Sequence, residues 1–344
     1  REPLFLSTPN LSFATAVQRD AALRDSVIRS DLSVPDGIPL IWAARLMGVP
    51  QGGRVAGSSI FERLWHHSPP EAPPVKVFLF GGAEGVAARA SEVINDTADG
   101  IWCVGFESPG FGTVEEMSEE DRISRISASQ ADLILVAIGV AKGQAWIERN
   151  RGLLSAPVIS YLGAVINFTA GTVQRAPLWM RRMGLEWIWR IKEEPSLWAR
   201  YWSDGWGFLG LFFTRILPYR WNSTFRGPSR QQLAEAGAKL MDDGEGGHRL
   251  CIAGAWRSDD SGPLRIELDR AAKSEGPLQI DLDACRFVDS GVVALLSLLW
   301  AHRRKLPWAC DVRAGHPKVR RMLRCCCAEF LLGPTRQDSP TTDT

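Results

Sequence analysis

Nowhere in the 344 residues is there an uninterrupted apolar run of the ~20 residues that a bilayer-crossing helix needs, and no secretory leader pattern opens the chain. The expectation is a protein that neither spans a membrane as a helix nor is secreted. A charge excess is also missing. The formal net charge is +1, so bulk electrostatics name no partner, and a nucleic-acid binder, which ordinarily carries a clear basic surplus, is disfavoured. The seven cysteines include an adjacent trio, Cys325, Cys326 and Cys327, and do not fall at the spacings of a disulfide framework or a zinc site. A reduced cytoplasmic setting fits them best. His302 and His316 have no metal-spaced partners. No Asp-x-Asp pair closes a strand in the N-terminal part to hold Mg²⁺ on a diphosphate, so no metal and no cofactor are expected. The chain begins at Arg1 rather than Met, and a missing N-terminal piece is expected.

What is present is length, apolar content and alternation. With 45% hydrophobic residues the chain can bury a large core, and two domains are expected. Leu4 to Ser7 reads as a strand delivering Thr8, Pro9 and Asn10, and Leu11 to Ile28 as a helix with Asn10 as N-cap. Asp36-Gly37 reads as a turn before an apolar helix from Ile38 to Met47. Arg54, Gly57 and Ser58 lead into another helix. Strands follow at Val75 to Phe80, Ile101 to Gly105, Leu133 to Ile138 and Val158 to Leu162, each ending near glycine. Gly81-Gly82-Ala83-Glu84-Gly85 opens the helix Val86 to Ile94, and glycines so placed let backbone amides approach a diphosphate, although tight turns alone use the same residues. Ser108 to Gly112 is a second glycine-rich loop, Glu115 to Ser129 an acidic amphipathic helix with a solvated face, and Gly139 precedes a helix carrying Lys142 and Gln144. Alternating strands and helices of this kind define a Rossmann-like α/β fold with a parallel sheet.

After Gly163 the composition changes. Arg175, Arg181, Arg182 and Arg190 alternate with Trp179, Trp187 and Trp189, and Pro177 suits a first helical turn. Guanidiniums in such a stretch match phosphate oxygens in pairs. The segment RAPLW, GLEWIWRIKEEP and RY, holding Arg175, Ala176, Pro177, Trp179, Leu185, Glu186, Trp187, Arg190, Glu194, Pro195, Arg200 and Tyr201, resembles the WecG/TagA/CpsF family of bacterial glycosyltransferases. The resemblance runs from about Leu6 to Tyr201. It implies transfer of a sugar from a UDP-sugar to a lipid-linked acceptor, with Asp36 as the general base, since deprotonating an attacking hydroxyl needs a carboxylate within hydrogen-bond reach. Without the resemblance Asp36-Gly37 is a plain turn. Thr8 joins Asp36 in the catalytic set, and Asn10, Arg54, Gly57, Gly81, Gly82, Gly139, Lys142, Gln144, Arg175, Arg190 and Arg200 are the expected substrate-binding residues. Family members read G-x-P-K-Q-E after the fourth of these strands; here Lys142 is kept while Ala141, Gly143 and Gln144 replace the proline, glutamine and glutamate.

The expected organisation is a transferase domain at 1–195, an aromatic and basic appendage at 196–221, a linker with a helical centre at 222–248, a small α/β unit at 249–332 and a disordered tail at 333–344. The appendage, with Arg200, Arg215 and Arg220 among tryptophans, suits either an interfacial helix on anionic lipid or a helix packed against protein. In the last unit, strands Leu250 to Trp256, Leu278 to Leu282 and Trp308 to Val312 alternate with helices Leu264 to Lys273, Val292 to Arg304 and Lys318 to Cys327. Together with LQIDLDACRFVDSGVVALLSLLW, this order resembles a STAS domain. That resemblance implies a regulatory protein partner and makes Ser290 a candidate phosphorylation site, although the family's D-[ST]-x-G is here one residue short; the plainer reading has Ser290 capping a helix. Two functions therefore stand. One is an inverting transferase using a UDP-sugar (N-acetylmannosamine-like or another hexose) and a polyprenyl-diphosphate-linked acceptor at the inner face of the cytoplasmic membrane. The other is a non-catalytic scaffold, which the altered Ala141 to Gln144 segment favours.

Overall fold

A computed structural model describes residues 2–50, 52–66, 73–244 and 246–333, the side chain of Arg182 excepted. The proline-rich connection before Val75 and the tail expected from 333 fall largely outside the described residues. The chain divides into two units, one formed by Arg1–Trp42 and Gly52–Phe208, the other by Ala43–Gln51 and Leu209–Thr344.

The first unit is built on six strands, β1 (Leu4–Ser7), β2 (Leu32–Ser33), β3 (Val75–Gly81), β4 (Ile101–Glu107), β5 (Leu133–Ala137) and β6 (Val158–Tyr161). They lie in the order β2-β1-β6-β5-β3-β4, and every pairing is parallel. Apolar runs rather than alternation mark β3 and β5 because helices cover both faces. Phe78 and Phe80 with Ile134 and Val136 pack into one core, around Trp146, while Val77 and Leu79 with Leu133 and Leu135 pack into a second, around Ile94. Trp146 stacks on Phe80 at 4.2 Å between ring centroids, and its indole N–H donates to the Met117 carbonyl at 2.9 Å, so the polar end of a fully buried tryptophan is satisfied.

Two expected helices are broken. The Leu11 to Ile28 pattern divides into Leu11–Ala16 and Ala21–Arg29, because the Asp20 carboxylate accepts the Leu23 N–H at 2.9 Å and starts the second helix afresh. The Glu115 to Ser129 pattern divides into a 3₁₀ turn, Glu116–Ser118, and a helix, Glu120–Ala128. The two-residue edge strand β2 is too short to show a period.

The second unit holds a sheet of five strands: β7 (Gly237–Asp242), β8 (His248–Trp256), β9 (Leu278–Asp281), β10 (Cys285–Val288) and β11 (Cys310–Arg313). β7 pairs antiparallel with β8 along its whole length and the other pairings are parallel. The expected linker at 222–248 therefore contains a sheet strand, preceded by a short helix, Arg230–Ala234, that Ser229 and Gln232 close with a capping box. β7 escaped notice because it is an edge strand whose Lys239 and Asp242 make it polar. β10, which carries the chain up to the Asp289 turn, was likewise not expected. The expected strand Trp308 to Val312 lies at Cys310–Arg313, and the helices at Gly262–Lys273, Ser290–Arg303 and Pro317–Cys325. Arg303, fully buried, donates to the carbonyls of Ala271, Ser274 and Gly276, the acceptors left over where the helix Gly262–Lys273 ends.

The appendage is helical over Trp198–Leu211, passes through a π segment at Phe212–Ile216 and continues as Leu217–Phe225. In the first unit Trp198, Trp202 and Trp206 are exposed, while Asp204 on the same helix is buried and accepts the hydroxyls of Ser12 and Thr15. In the second unit Ile216 and Tyr219 are buried and Phe213, Leu217, Trp221 and Phe225 are exposed. The reading of a helix packed against protein thus holds for the buried residues Asp204, Ile216 and Tyr219. None of the described helices is long and apolar enough to cross a membrane.

Candidate active site

Parallel strands bring their carboxyl ends to one edge of the sheet, and the loops that leave that edge carry most of the expected site residues. Thr8 follows β1; it is buried and its hydroxyl donates to the Tyr161 carbonyl at the end of β6, at 3.3 Å. The Asn10 side chain accepts the Phe13 N–H at 3.4 Å and caps the helix Leu11–Ala16. Beyond β2 the chain runs alongside this turn, with the Val34 N–H on the Ser7 carbonyl at 3.0 Å and the Asp36 N–H on the Pro9 carbonyl at 2.8 Å. Asp36 is thereby fixed next to Thr8 and Asn10 by backbone bonds alone.

The Asp36 carboxylate accepts from Arg54 Nε at 3.3 Å on one oxygen and from the Gly57 N–H at 3.4 Å on the other. Gly57 has no room for a side chain, since a Cβ there would collide with Leu162 and press on the Thr8 hydroxyl. The rest of the Arg54 fork is engaged too, by Glu186 at 2.7 Å and by the Arg181 carbonyl at 3.1 Å. Burial pushes the Asp36 carboxyl up from its ordinary 3.8, Glu186 adds to the push, and Arg54 and the Gly57 N–H oppose it. The result is a carboxylate that keeps 23% of its side-chain surface and is pushed toward binding a proton more readily than a free aspartate does. That is the property a general base requires.

Basic side chains gather beside it. Burial pushes the Tyr161 hydroxyl up to about 12, opposed by the charges of Arg200 and Arg190. Arg190 pairs with Glu194 at 2.5 Å and lies 5.2 Å from the centroid of the Phe168 ring. Arg175 pairs with Glu62 at 2.7 Å and donates to Ser58 at 2.9 Å. Glu62 also holds Arg181 at 3.2 Å; against the cost of burial, the two arginines keep its carboxyl below the usual range. A pocket of about 200 Å³ opens here, lined by Arg175, Glu62, Trp65, His66 and Phe168 among others, and Phe168 is the ring over which Arg190 lies.

A second set of loops leaves β3, β4 and β5. Gly81 has φ +127, and any Cβ there would run into the Ala137 carbonyl of the neighbouring strand; Gly82 donates to that carbonyl at 3.3 Å. Gly85 and Gly139 precede the helices Val86–Thr97 and Val140–Asn150 with no side-chain cap bond, and the Val86 N–H is taken by the Ala83 carbonyl at 3.0 Å. The Ser108 hydroxyl lies 3.4 Å from the carbonyls of Gly81 and Ala83, and Lys142 Nζ donates to the Gly112 carbonyl at 2.8 Å. The loop Ser108 to Gly112 is tied at both ends while Phe111 at its tip is fully exposed.

Not every expected residue is at this edge. Gln144 is fully buried, accepts the Ser26 hydroxyl at 2.8 Å and donates to Ser7 Oγ at 3.2 Å. It cross-links β1 and the helix Ala21–Arg29 within the core and is not available to a substrate. Ser290 departs from the reading that made it the helix cap. The N-cap of the helix Ser290–Arg303 is Asp289, whose carboxylate accepts the Val292 N–H at 2.9 Å; Ser290 is the first helical residue, is 8% exposed, and donates its hydroxyl to the Met47 carbonyl at 2.8 Å. Glu186, Glu62 and Tyr161 were not anticipated as parts of the site. Only Glu186 had a sequence signal, its place within the GLEW segment.

The fold is a doubly wound parallel sheet whose carboxyl edge carries a carboxylate–guanidinium pair and further arginines, the arrangement in which such sheets place a ligand site. The chain belongs to the glycosyl transferase WecG/TagA/CpsF family, whose model matches residues 1–222; residues 241–328 match a Mlab, STAS domain model. Among characterised proteins it is similar to the N-acetylglucosaminyldiphosphoundecaprenol N-acetyl-beta-D-mannosaminyltransferase of Bacillus spizizenii, 28% identical over 196 residues covering 57% of this chain and 74% of that protein. It is also similar to the protein of the same description from Bacillus subtilis, 28% identical over 195 residues covering 57% of this chain and 73% of that one.

Proposed function

We propose that the protein is an inverting glycosyltransferase that moves a hexose, N-acetylmannosamine-like or another, from a UDP-sugar to a polyprenyl-diphosphate-linked sugar in bacterial polysaccharide assembly. The observation that carries the reading is the Asp36 carboxylate held between Arg54 and the Gly57 N–H beside Thr8 and Asn10. The acceptor hydroxyl oxygen attacks the anomeric carbon as its proton passes to Asp36. The bond from that carbon to the diphosphate oxygen breaks on the opposite face, and UDP departs with the bonding electrons. Arg175, Arg190 and Arg200, with the helix starts after Gly85 and Gly139, meet the charge that grows on the diphosphate, a role that elsewhere falls to a metal. Gly81, Gly82 and Lys142 flank the nucleotide, and Asn10 positions a sugar hydroxyl.

The two Bacillus relatives are named for an undecaprenyl-diphosphate-linked acceptor. Such a substrate stays in the bilayer, so the enzyme works at its surface, on the cytoplasmic side where UDP-sugars are. The exposed Leu178, Trp179, Met183, Trp187 and Ile188, together with Trp198, Trp202 and Trp206, give the first unit an apolar surface suited to headgroup depth. The STAS module modulates or localises the transferase. A scaffold that only binds nucleotide remains the second reading, favoured by one observation: Tyr161 fills the space that a side chain at position 143 would need. One experiment separates the two. The protein is incubated with a panel of UDP-sugars and a short polyprenyl-diphosphate sugar, and UDP release and acceptor elongation are followed. Transfer that Asp36→Asn abolishes supports the enzyme, and UDP binding without transfer supports the scaffold.

A further inference from the structure

Along the helix Trp198–Leu211 the helical period puts Arg200, Asp204 and Gly207 on one face and Trp198, Trp202 and Trp206 on the opposite one. The tryptophans are exposed and Asp204 is buried. All of these residues belong to the first unit. The Asp204 carboxylate accepts the Thr15 hydroxyl at 2.9 Å on one oxygen and the Ser12 hydroxyl on the other, and no cation pairs with it among the described residues. A Cβ at Gly207 would lie 2.8 Å from Thr15 Cγ2, so the helices Trp198–Leu211 and Leu11–Ala16 touch closely there. Asp204 reaches Ser12 and Thr15, whereas Gly207, nearly a turn further on, meets Thr15; the two helices therefore run the same way. Arg200, one turn before Asp204, thus lies toward the start of Leu11–Ala16, which Asn10 caps.

The arginines of the site are not alike. Arg175 is paired with Glu62 and Arg190 with Glu194. Arg200 is exposed, lies 5.2 Å from the centroid of the Tyr201 ring and pairs with no carboxylate among the described residues. Burial raises the Tyr161 hydroxyl and the Arg200 charge opposes it, while the Tyr161 carbonyl holds the Thr8 hydroxyl. Arg200 is therefore the guanidinium of the three that is left open to an anion. We infer that Asp204 is a positioning residue for it: through Ser12 and Thr15, Asp204 latches the helix Trp198–Leu211 onto Leu11–Ala16 and so holds Arg200 toward the Thr8–Asn10 turn, there to meet the donor diphosphate. A buried carboxylate is costlier than an apolar contact of its size. What it adds is direction, two bonds that fix both the slide and the rotation of one helix on the other. A slip of one residue would turn the helix by about 100°, carrying Arg200 away from Asn10.

The inference takes its ligand from the transferase reading, but its test needs no turnover. In the full-length protein, UDP affinity is measured by titration calorimetry for Arg200→Ala, Asp204→Ala, the two combined, and Asp204→Asn. Arg200→Ala and Asp204→Ala should each weaken UDP binding about tenfold or more. The combined variant should bind no more weakly than Arg200→Ala alone, since the latch acts through that side chain. Asp204→Asn should stay near the parent, because its amide accepts one hydroxyl and donates to the other. Should Asp204→Ala not fold, Ser12→Ala together with Thr15→Val takes its place in the cycle. Losses that add overturn the inference, as does an Arg200→Ala protein that binds UDP like the parent or an Asp204→Asn protein as weak as Asp204→Ala. A parent protein that binds UDP and transfers no sugar overturns the transferase reading alone, and the cycle still decides the latch.

Discussion

The Nε of Arg54 lies 3.3 Å from the Asp36 carboxylate while the far end of the same guanidinium lies 2.7 Å from Glu186. One cation is thus shared by two carboxylates that differ in role. Glu186 takes the closer contact and fixes the fork. Asp36 takes the longer one, and burial, with Glu186 adding to it, pushes its carboxyl up against the opposing charge of Arg54.

The pH dependence of Asp36 follows from this. Its folded-state pKa lies above 3.8, so the acid limb of kcat should fall above the ordinary carboxylate range, and Arg54→Ala, which removes an interaction that lowers the value, should move the limb to higher pH. Stability has the opposite sign. A carboxyl whose pKa is raised by folding contributes stability that is fully present below its unfolded pKa and is lost as pH rises through the folded one. Asp36→Asn should therefore melt above the parent at neutral pH, with the difference vanishing in acid, and lose ~10² to 10⁴ in turnover. Scanning calorimetry across pH checks the first, and a normal turnover number removes Asp36 as base.

Arg175→Ala and Arg190→Ala should each weaken donor binding by roughly ten- to a hundredfold, the loss of a charge-assisted hydrogen bond of about 1.5–3 kcal/mol. Transfer should continue in the presence of a chelator. A strict need for Mg²⁺ or Mn²⁺ would show that a metal, not these guanidiniums, meets the diphosphate.

Gln144→Ala leaves Ser7 and Ser26 without their buried partner. It should cost about 1–3 kcal/mol by urea denaturation and leave UDP affinity as it was. A calorimetric titration in which UDP binding is lost from a protein of normal stability would return Gln144 to the binding site.

Replacing Trp198, Trp202 and Trp206 together by alanine should release the protein from anionic vesicles in a flotation assay, because these exposed rings supply apolar area at headgroup depth. Melting temperature should hardly change. Undiminished flotation would mean that this helix does not bind the membrane.

Local pattern determined much of this protein by itself. The apolar runs of β3 and β5, the glycines that end them, the N-cap at Asn10 and the basic tryptophan segment each depend on a few neighbouring residues, and each was legible because backbone sterics and helix or strand period act over that range. Tertiary structure decided the rest. Arg54 finds Glu186 across 132 residues, Gln144 turns inward because Ser26 waits 118 residues earlier, and the Ser290 hydroxyl is used up by a carbonyl 243 residues away. β7 becomes a strand only because β8 offers it a free edge. A side chain's own chemistry says what it can bond with. Which partner it meets, and whether it stays open to a substrate or is spent holding the core, depends on the packing of segments that carry no mark of one another in the sequence.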